Sequence, residues 1–94
     1  MIIVSQDKKG RVIIDNVTSI WIEDPEENDS EKFSIEVSAE IDECLGYYET
    51  EERALEVLEE LTEFYDRIKR KSINAIGNNG QIFRDRFYFE MPKE

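Results

Sequence analysis

The residues able to do chemistry in this chain are almost all carboxylates. Glu52, Glu56, Glu59 and Glu63 recur at spacings of four, three and four, with Glu60 beside them. A second group, Asp24, Glu26, Glu27 and Asp29, lies in the run DPEENDSE. Carboxylates in pairs can act as general acid and base or hold Mg²⁺ or Ca²⁺. Asp24, Glu26, Asn28 and Ser30 do place oxygen ligands at alternate positions, but the run lacks the central Gly and the terminal bidentate Glu of an EF-hand loop. With no His and one Cys, the chain has no Ser-His or Cys-His nucleophile pair, no imidazole ligation, no zinc knuckle and no intrachain disulfide. P-loop, GxSxG, GxGxxG, HExxH and CxxC patterns are absent. The sequence predicts a protein that is not an enzyme, with no cofactor and no metal site.

What carboxylates can still do is recognise a partner by charge. The 94 residues carry 23 acids against 12 bases, a formal net charge of −11. The segment from Glu23 to Glu63 holds 17 of those acids and two bases, Lys32 and Arg53, a local charge of −15. The remaining residues hold six acids and ten bases, or +4. A field concentrated in this way can steer a basic partner, whereas dispersed charge mostly serves solubility. On a helix, like charges at these spacings cost a few tenths of a kcal/mol per pair, and no Lys is interleaved to offset them. At about 1.5 Å of rise per residue, carboxylates four apart lie about 6 Å apart along the axis, close to the phosphate spacing of a nucleic-acid strand. The stripe and the loop are therefore the candidate surface for a protein whose own site is a basic groove; a solvated face kept for solubility has the same composition. Direct binding of nucleic acid or of an anionic membrane conflicts with the charge.

The opposite chemistry gathers near the end of the chain. Arg84, Arg86 and Tyr88 alternate on a strand pattern and could bind a phosphate and stack a base, an alternative reading as a nucleotide or small-molecule site at an oligomer interface. Arg67, Lys69, Arg70 and Lys71 close the predicted helix, where they complement its dipole. Homodimers in which this basic end meets the acidic face of a second copy are a further use of the same polarity.

The elements that must hold these residues are short strands and one helix. Ile2 to Val4 and Val12 to Ile14 read as a hairpin around Asp7-Lys8-Lys9-Gly10, with Gly10 supplying the positive φ of the turn. After the Asp15-Asn16 turn, Val17 to Glu23 alternates with Ile20 and Ile22 inward and Trp21 on the opposite face. Phe33, Ile35 and Val37 give a half-buried strand, and a further one lies around Leu45 to Tyr48. The helix spans Glu51 to Lys71, with Thr50 as its cap and Ala54, Leu55, Val57, Leu58, Leu61, Phe64, Tyr65 and Ile68 as an apolar stripe. Ser72 to Ile76 and Gln81 to Glu90 flank Gly77-Asn78-Asn79-Gly80, the signature of a terminal hairpin or one long last strand, with Phe83, Phe87 and Phe89 inward. Cys44 is predicted to be a packed residue, not a reactive thiol. The fold class is a single α+β domain over 1–94: an antiparallel sheet of four to five short strands, one long helix across a face, and a C-terminal strand or hairpin.

The opening MIIVSQDKKG has no long apolar h-region and no small-residue cleavage site, and no apolar stretch approaches the roughly 20 residues of a membrane span. A cytoplasmic protein is the expectation.

Three stretches, IIVSQDKKGRVIIDNVTSIWI at 2 to 22, GYYETEERALEVLEELTEFY at 46 to 65 and YFEMPKE at 88 to 94, together resemble a family of small, mostly uncharacterised proteins of phages and prophages of Gram-positive bacteria. Its pattern is an IVSQDK opening, a YxTEERAxEVLEE helix and an MPxE ending. The resemblance implies a phage accessory protein acting on a host protein in the host cytoplasm, against host defence or replication. Small acidic phage proteins are frequently inhibitors of nucleic-acid enzymes, anti-CRISPR proteins among them. The family supplies no catalytic or binding residues to carry over.

Overall fold

The computed structural model describes residues 1–74 and 87–94. Strand β1 (Ile2–Val4) and β2 (Arg11–Ile13) form the expected antiparallel hairpin, with Ile3 opposite Val12. Its turn is built by side chains. The Ser5 hydroxyl donates to Asp7 Oδ1 (2.6 Å) and accepts from the Gly10 amide (2.9 Å), while the Lys9 amide donates to Asp7 (2.9 Å). These donors hold the Asp7 carboxyl below its ordinary pKa. The left-handed residue is Lys8, at φ 65°, not Gly10 as the sequence suggested.

After a 3₁₀ turn at Ile14–Asn16, β3 (Ser19–Glu23), β4 (Phe33–Ser38) and β5 (Asp42–Tyr48) make an antiparallel meander. The β4–β5 register shifts at Ile35/Glu36, where Ile35 faces Gly46 and Glu36 faces Cys44, leaving Leu45 as the bulged residue. The bulge lets Leu45 and Gly46 both be buried, which strict alternation forbids.

Helix α1 (Glu51–Asn74) runs three residues beyond the predicted end, so Ser72 to Asn74 are helical and do not begin a strand. Thr50 caps it, its Oγ1 accepting from the Arg53 amide at 3.1 Å. Ala54, Val57, Leu61 and Ile68 are buried against Ile35, Val37, Leu45 and Tyr48. Leu55, placed in the apolar stripe by its spacing, is 51% exposed on the flank of that face.

The last strand, β6 (Tyr88–Glu90), pairs parallel with β1, giving a second three-stranded sheet in the order β2-β1-β6 beside β3-β4-β5. The sequence predicted one sheet, and its strand count and helix packing otherwise hold. The predicted turn at 77–80 and the inward Phe83 lie outside the described residues. Phe87 and Phe89 do face the core, and the Phe89 ring meets Phe64 of α1 edge-on at 5.5 Å. Both sheets and the helix thus share one core, from Met1, Ile3 and Met91 through Tyr48 to Ile68.

The seam between the sheets is closed by Gln6. Its backbone amide donates to Leu45 O (2.8 Å), and its side-chain amide pairs in both directions with Tyr47, accepting from the Tyr47 amide (2.8 Å) and donating to Tyr47 O (2.8 Å). The same Nε2 reaches Lys93 O (2.7 Å) and Pro92 O (3.2 Å). Tyr48 Oη also donates to Pro92 O (2.8 Å), and Arg53 Nε donates to Glu94 O (2.8 Å). The SQDK, GYYETEER and MPKE segments therefore meet at one place.

Candidate functional site

The predicted carboxylate stripe is displayed as the helical period requires. Glu52, Glu56, Glu59 and Glu63 are all exposed on the side of α1 opposite Ala54, Val57 and Leu61. Glu60 is exposed nearer the flank that carries Arg53. Arg53 is the interleaved cation: its Nη1 lies 3.2 Å from Glu56 and 3.7 Å from Glu60. Among the described residues no base pairs with Glu52, Glu59 or Glu63. Three carboxylates on one face of a helix, Glu59 beside Glu63 and Glu52 two turns away beyond the paired Glu56, leave a field directed outward.

The acidic loop is organised differently. Asp24 and Glu27 form a reciprocal box: the Glu27 amide donates to Asp24 Oδ1 at 2.9 Å and the Asp24 amide to Glu27 Oε1 at 3.2 Å. Asn28 then pins the loop, donating to Lys32 O and to the Ser34 hydroxyl, both at 2.9 Å. Asp29 completes the bend at φ 55°. Two of the four predicted loop carboxylates, Asp24 and Glu27, are thus spent on the local fold; Glu26 and Asp29 are exposed.

The structure does not join loop and stripe into one surface. Ser34, where Asn28 anchors the loop, alternates on β4 with Ile35, whose side chain lies in the core under α1. The loop is fastened to one face of the meander and the helix packs on the other. That outer face also carries Trp21, whose Nε1 donates to Glu23 Oε2 at 3.1 Å, beside Glu36 and Cys44. Burial and the neighbouring Glu36 push the Cys44 thiol up to about 11, so it stays protonated near neutral pH.

Of the basic alternative, Arg84 and Arg86 lie outside the described residues, and Tyr88 is exposed on β6. Lys32 and Arg53, the two bases inside the acidic block, are brought with Lys93 to the seam at the start of α1. No sequence spacing signals that meeting, because the three come from a loop end, a helix and the chain's last segment. Among the described residues no three acidic or Cys side chains gather as metal ligands, and no helix is long and apolar enough to cross a membrane.

No family model, curated protein or solved structure matches the chain. The fold and its exposed face define an α+β protein with a carboxylate-bearing helix.

Proposed function

We propose that this is a non-catalytic interaction protein that binds a basic partner protein through the outward face of α1, with Glu52, Glu56, Glu59 and Glu63 as its contact row. The observation that carries the reading is the set of Glu52, Glu59 and Glu63, exposed on one face and without a cationic partner among the described residues. Like charges at these spacings work against the helix, and a partner's Lys and Arg would supply the missing neutralisation. The row's spacing suits a partner whose groove normally follows a phosphate backbone. The resemblance to phage and prophage proteins makes that partner a host nucleic-acid enzyme or defence protein, and the outcome its inhibition in the host cytoplasm.

The test is capture from host lysate at low and high salt with the wild-type chain and the variant Glu52→Lys/Glu56→Lys/Glu59→Lys/Glu63→Lys. A basic nucleic-acid-binding protein is retained by the wild type, released by salt, and held at least about 100-fold more weakly by the variant. A folded quadruple variant that captures the same protein as strongly would refute the reading.

A further inference from the structure

Within the acidic block the exception is local. Two adjoining clefts open at the seam. One, of about 660 Å³, is lined by Lys32, Tyr47, Tyr48, Arg53, Lys93 and its neighbours Glu49 and Glu94. The other, of about 450 Å³, shares Lys32, Tyr47 and Lys93 with it and adds Gln6, Ser30 and Glu31. Both volumes fall in the range of small-molecule sites. The only two bases between Glu23 and Glu63 line this one place, and Lys93 joins them from the far end of the chain.

The three cations are not equally committed. Lys32 Nζ is 3.0 Å from Glu49, in a pair exposed on both sides, and Arg53 is shared among Glu56, Glu60 and Glu94 O. Lys93 has no carboxylate partner among the described residues, although its backbone is fixed by Gln6. Exposed pairs of the Lys32–Glu49 kind are worth little, so an incoming anion can replace the carboxylate at small cost. Tyr47 lines both clefts and is 42% exposed; its backbone is clamped on both sides by the Gln6 amide, and its hydroxyl end lies toward Cys44 and Glu36. An open aromatic face that lines the same cleft as Lys and Arg side chains is suited to a flat ring attached to a negative group.

We propose that this cleft binds a nucleotide, with its phosphates held among Lys93, Lys32 and Arg53 and its base lying on Tyr47. Remote carboxylates are screened at physiological ionic strength, where the Debye length is about 8 Å; the cleft's own Glu31, Glu49 and Glu94 oppose the three cations, so a phosphate must displace Glu49 from Lys32 to bind. The site meets the outward face of α1 only through the Arg53–Glu56 pair, and Lys93 and Tyr47 lie off that face, so their variants test it separately from the partner-binding reading.

The probe is ATP, titrated at physiological ionic strength into the full ¹⁵N-labelled chain, with inorganic tripolyphosphate as the second arm. Saturable shifts of the Tyr47, Arg53 and Lys93 amides are expected. Lys93→Glu should weaken ATP at least about tenfold, with Lys32→Gln as a second variant should Lys93→Glu disturb the fold. Tripolyphosphate should bind more weakly than ATP, and Tyr47→Ala should erase that difference. Absence of saturation by about 10 mM ATP, shifts confined to the Arg67–Arg70 end of α1, or indifference of folded Lys93→Glu would overturn the assignment. Equal binding of tripolyphosphate and ATP would overturn it as well, because the ring would then contribute nothing.

Discussion

The outward face of α1 and the seam around Gln6 are built on opposite principles. The helix face concentrates like charge on a regular element and satisfies little of it internally. The seam uses mostly neutral groups drawn from three distant parts of the chain and pairs them densely: Gln6 alone engages Tyr47, Pro92 and Lys93, and Tyr48 and Arg53 add one contact each to the last segment. The first arrangement contributes little to stability and is available to a partner. The second holds two sheets and a chain end together, so changes there should act on folding before they act on binding.

The largest effect is therefore expected at Gly46, which touches no partner and bears no charge. A methyl group at this position would stand 3.0 Å from Gln6 Cβ and 3.1 Å from Tyr48 Oη. Gln6 is held by its pairing with Tyr47 and the last segment, and Tyr48 by Pro92, so neither neighbour is free to give way. Gly46→Ala should lower stability by about 2 kcal/mol through overpacking, measured as a lowered urea midpoint with unchanged slope. An unchanged or raised midpoint would show that the seam is soft, and the contrast with the helix face would fail.

The same contrast explains what could be read from the sequence. Helix α1 was legible because its period, its Thr50 cap and its charged ends all agree within one stretch of chain. The β3-β4-β5 meander was legible from alternation between neighbours. The parallel pairing of β1 with β6 was not, since it joins the two ends of the chain and leaves no local pattern. Gln6 was invisible for a related reason: a single neutral residue in a turn gives no sign that it binds Tyr47, 41 positions away. Leu55 shows the limit of periodicity, which fixes a residue's angle around the helix but not how wide a strip the sheet covers. For the candidate site, exposure of the Glu row followed from the helical period. Its separation from the Asp24–Glu31 loop depends on which face of β4 the helix covers, and that is settled only by tertiary packing.

A smaller effect, with a distinctive pH dependence, is expected at Tyr48. Its ring is buried and its hydroxyl donates to Pro92 O, and burial pushes its pKa from 10.0 to about 12. Tyr48→Phe should cost about 1 kcal/mol near neutral pH, the net worth of one hydrogen bond. In the wild type, the unfolded chain ionises first as pH rises above 10 and so binds fewer protons than the folded one; stability therefore falls through the interval up to about 12. The phenylalanine variant has no such proton, so the stability gap between variant and wild type should narrow as pH climbs. Cys44, raised from 9.0 to about 11, contributes a decline that begins lower and is common to both proteins. Urea midpoints taken from neutral pH up to about pH 11 distinguish the cases. A gap of constant size would mean that the Tyr48 hydroxyl is not held in the seam.

The smallest effect should have the opposite sign, and it separates a face kept for recognition from one kept for stability. Glu59 lies three residues after Glu56 and four before Glu63, all exposed, and among the described residues only Glu56 of the three is ion-paired, with Arg53; Glu63 and Arg67, at i,i+4, form no pair. Glu59→Lys turns both repulsions into attractions, worth a few tenths of a kcal/mol each. The variant should be more stable than the wild type by roughly 0.5 kcal/mol at low ionic strength. The gain should vanish at about 1 M salt, where the Debye length falls to about 3 Å. Natural surfaces commonly leave such gains untaken, so stabilisation alone does not mark a binding face; its coupling to partner capture does. Stabilisation accompanied by weaker partner capture would sharpen the distinction between the two regions. Stabilisation with capture unchanged would reduce the Glu row to a solvated face and leave the seam as the part of the molecule where sequence and structure are most tightly bound together.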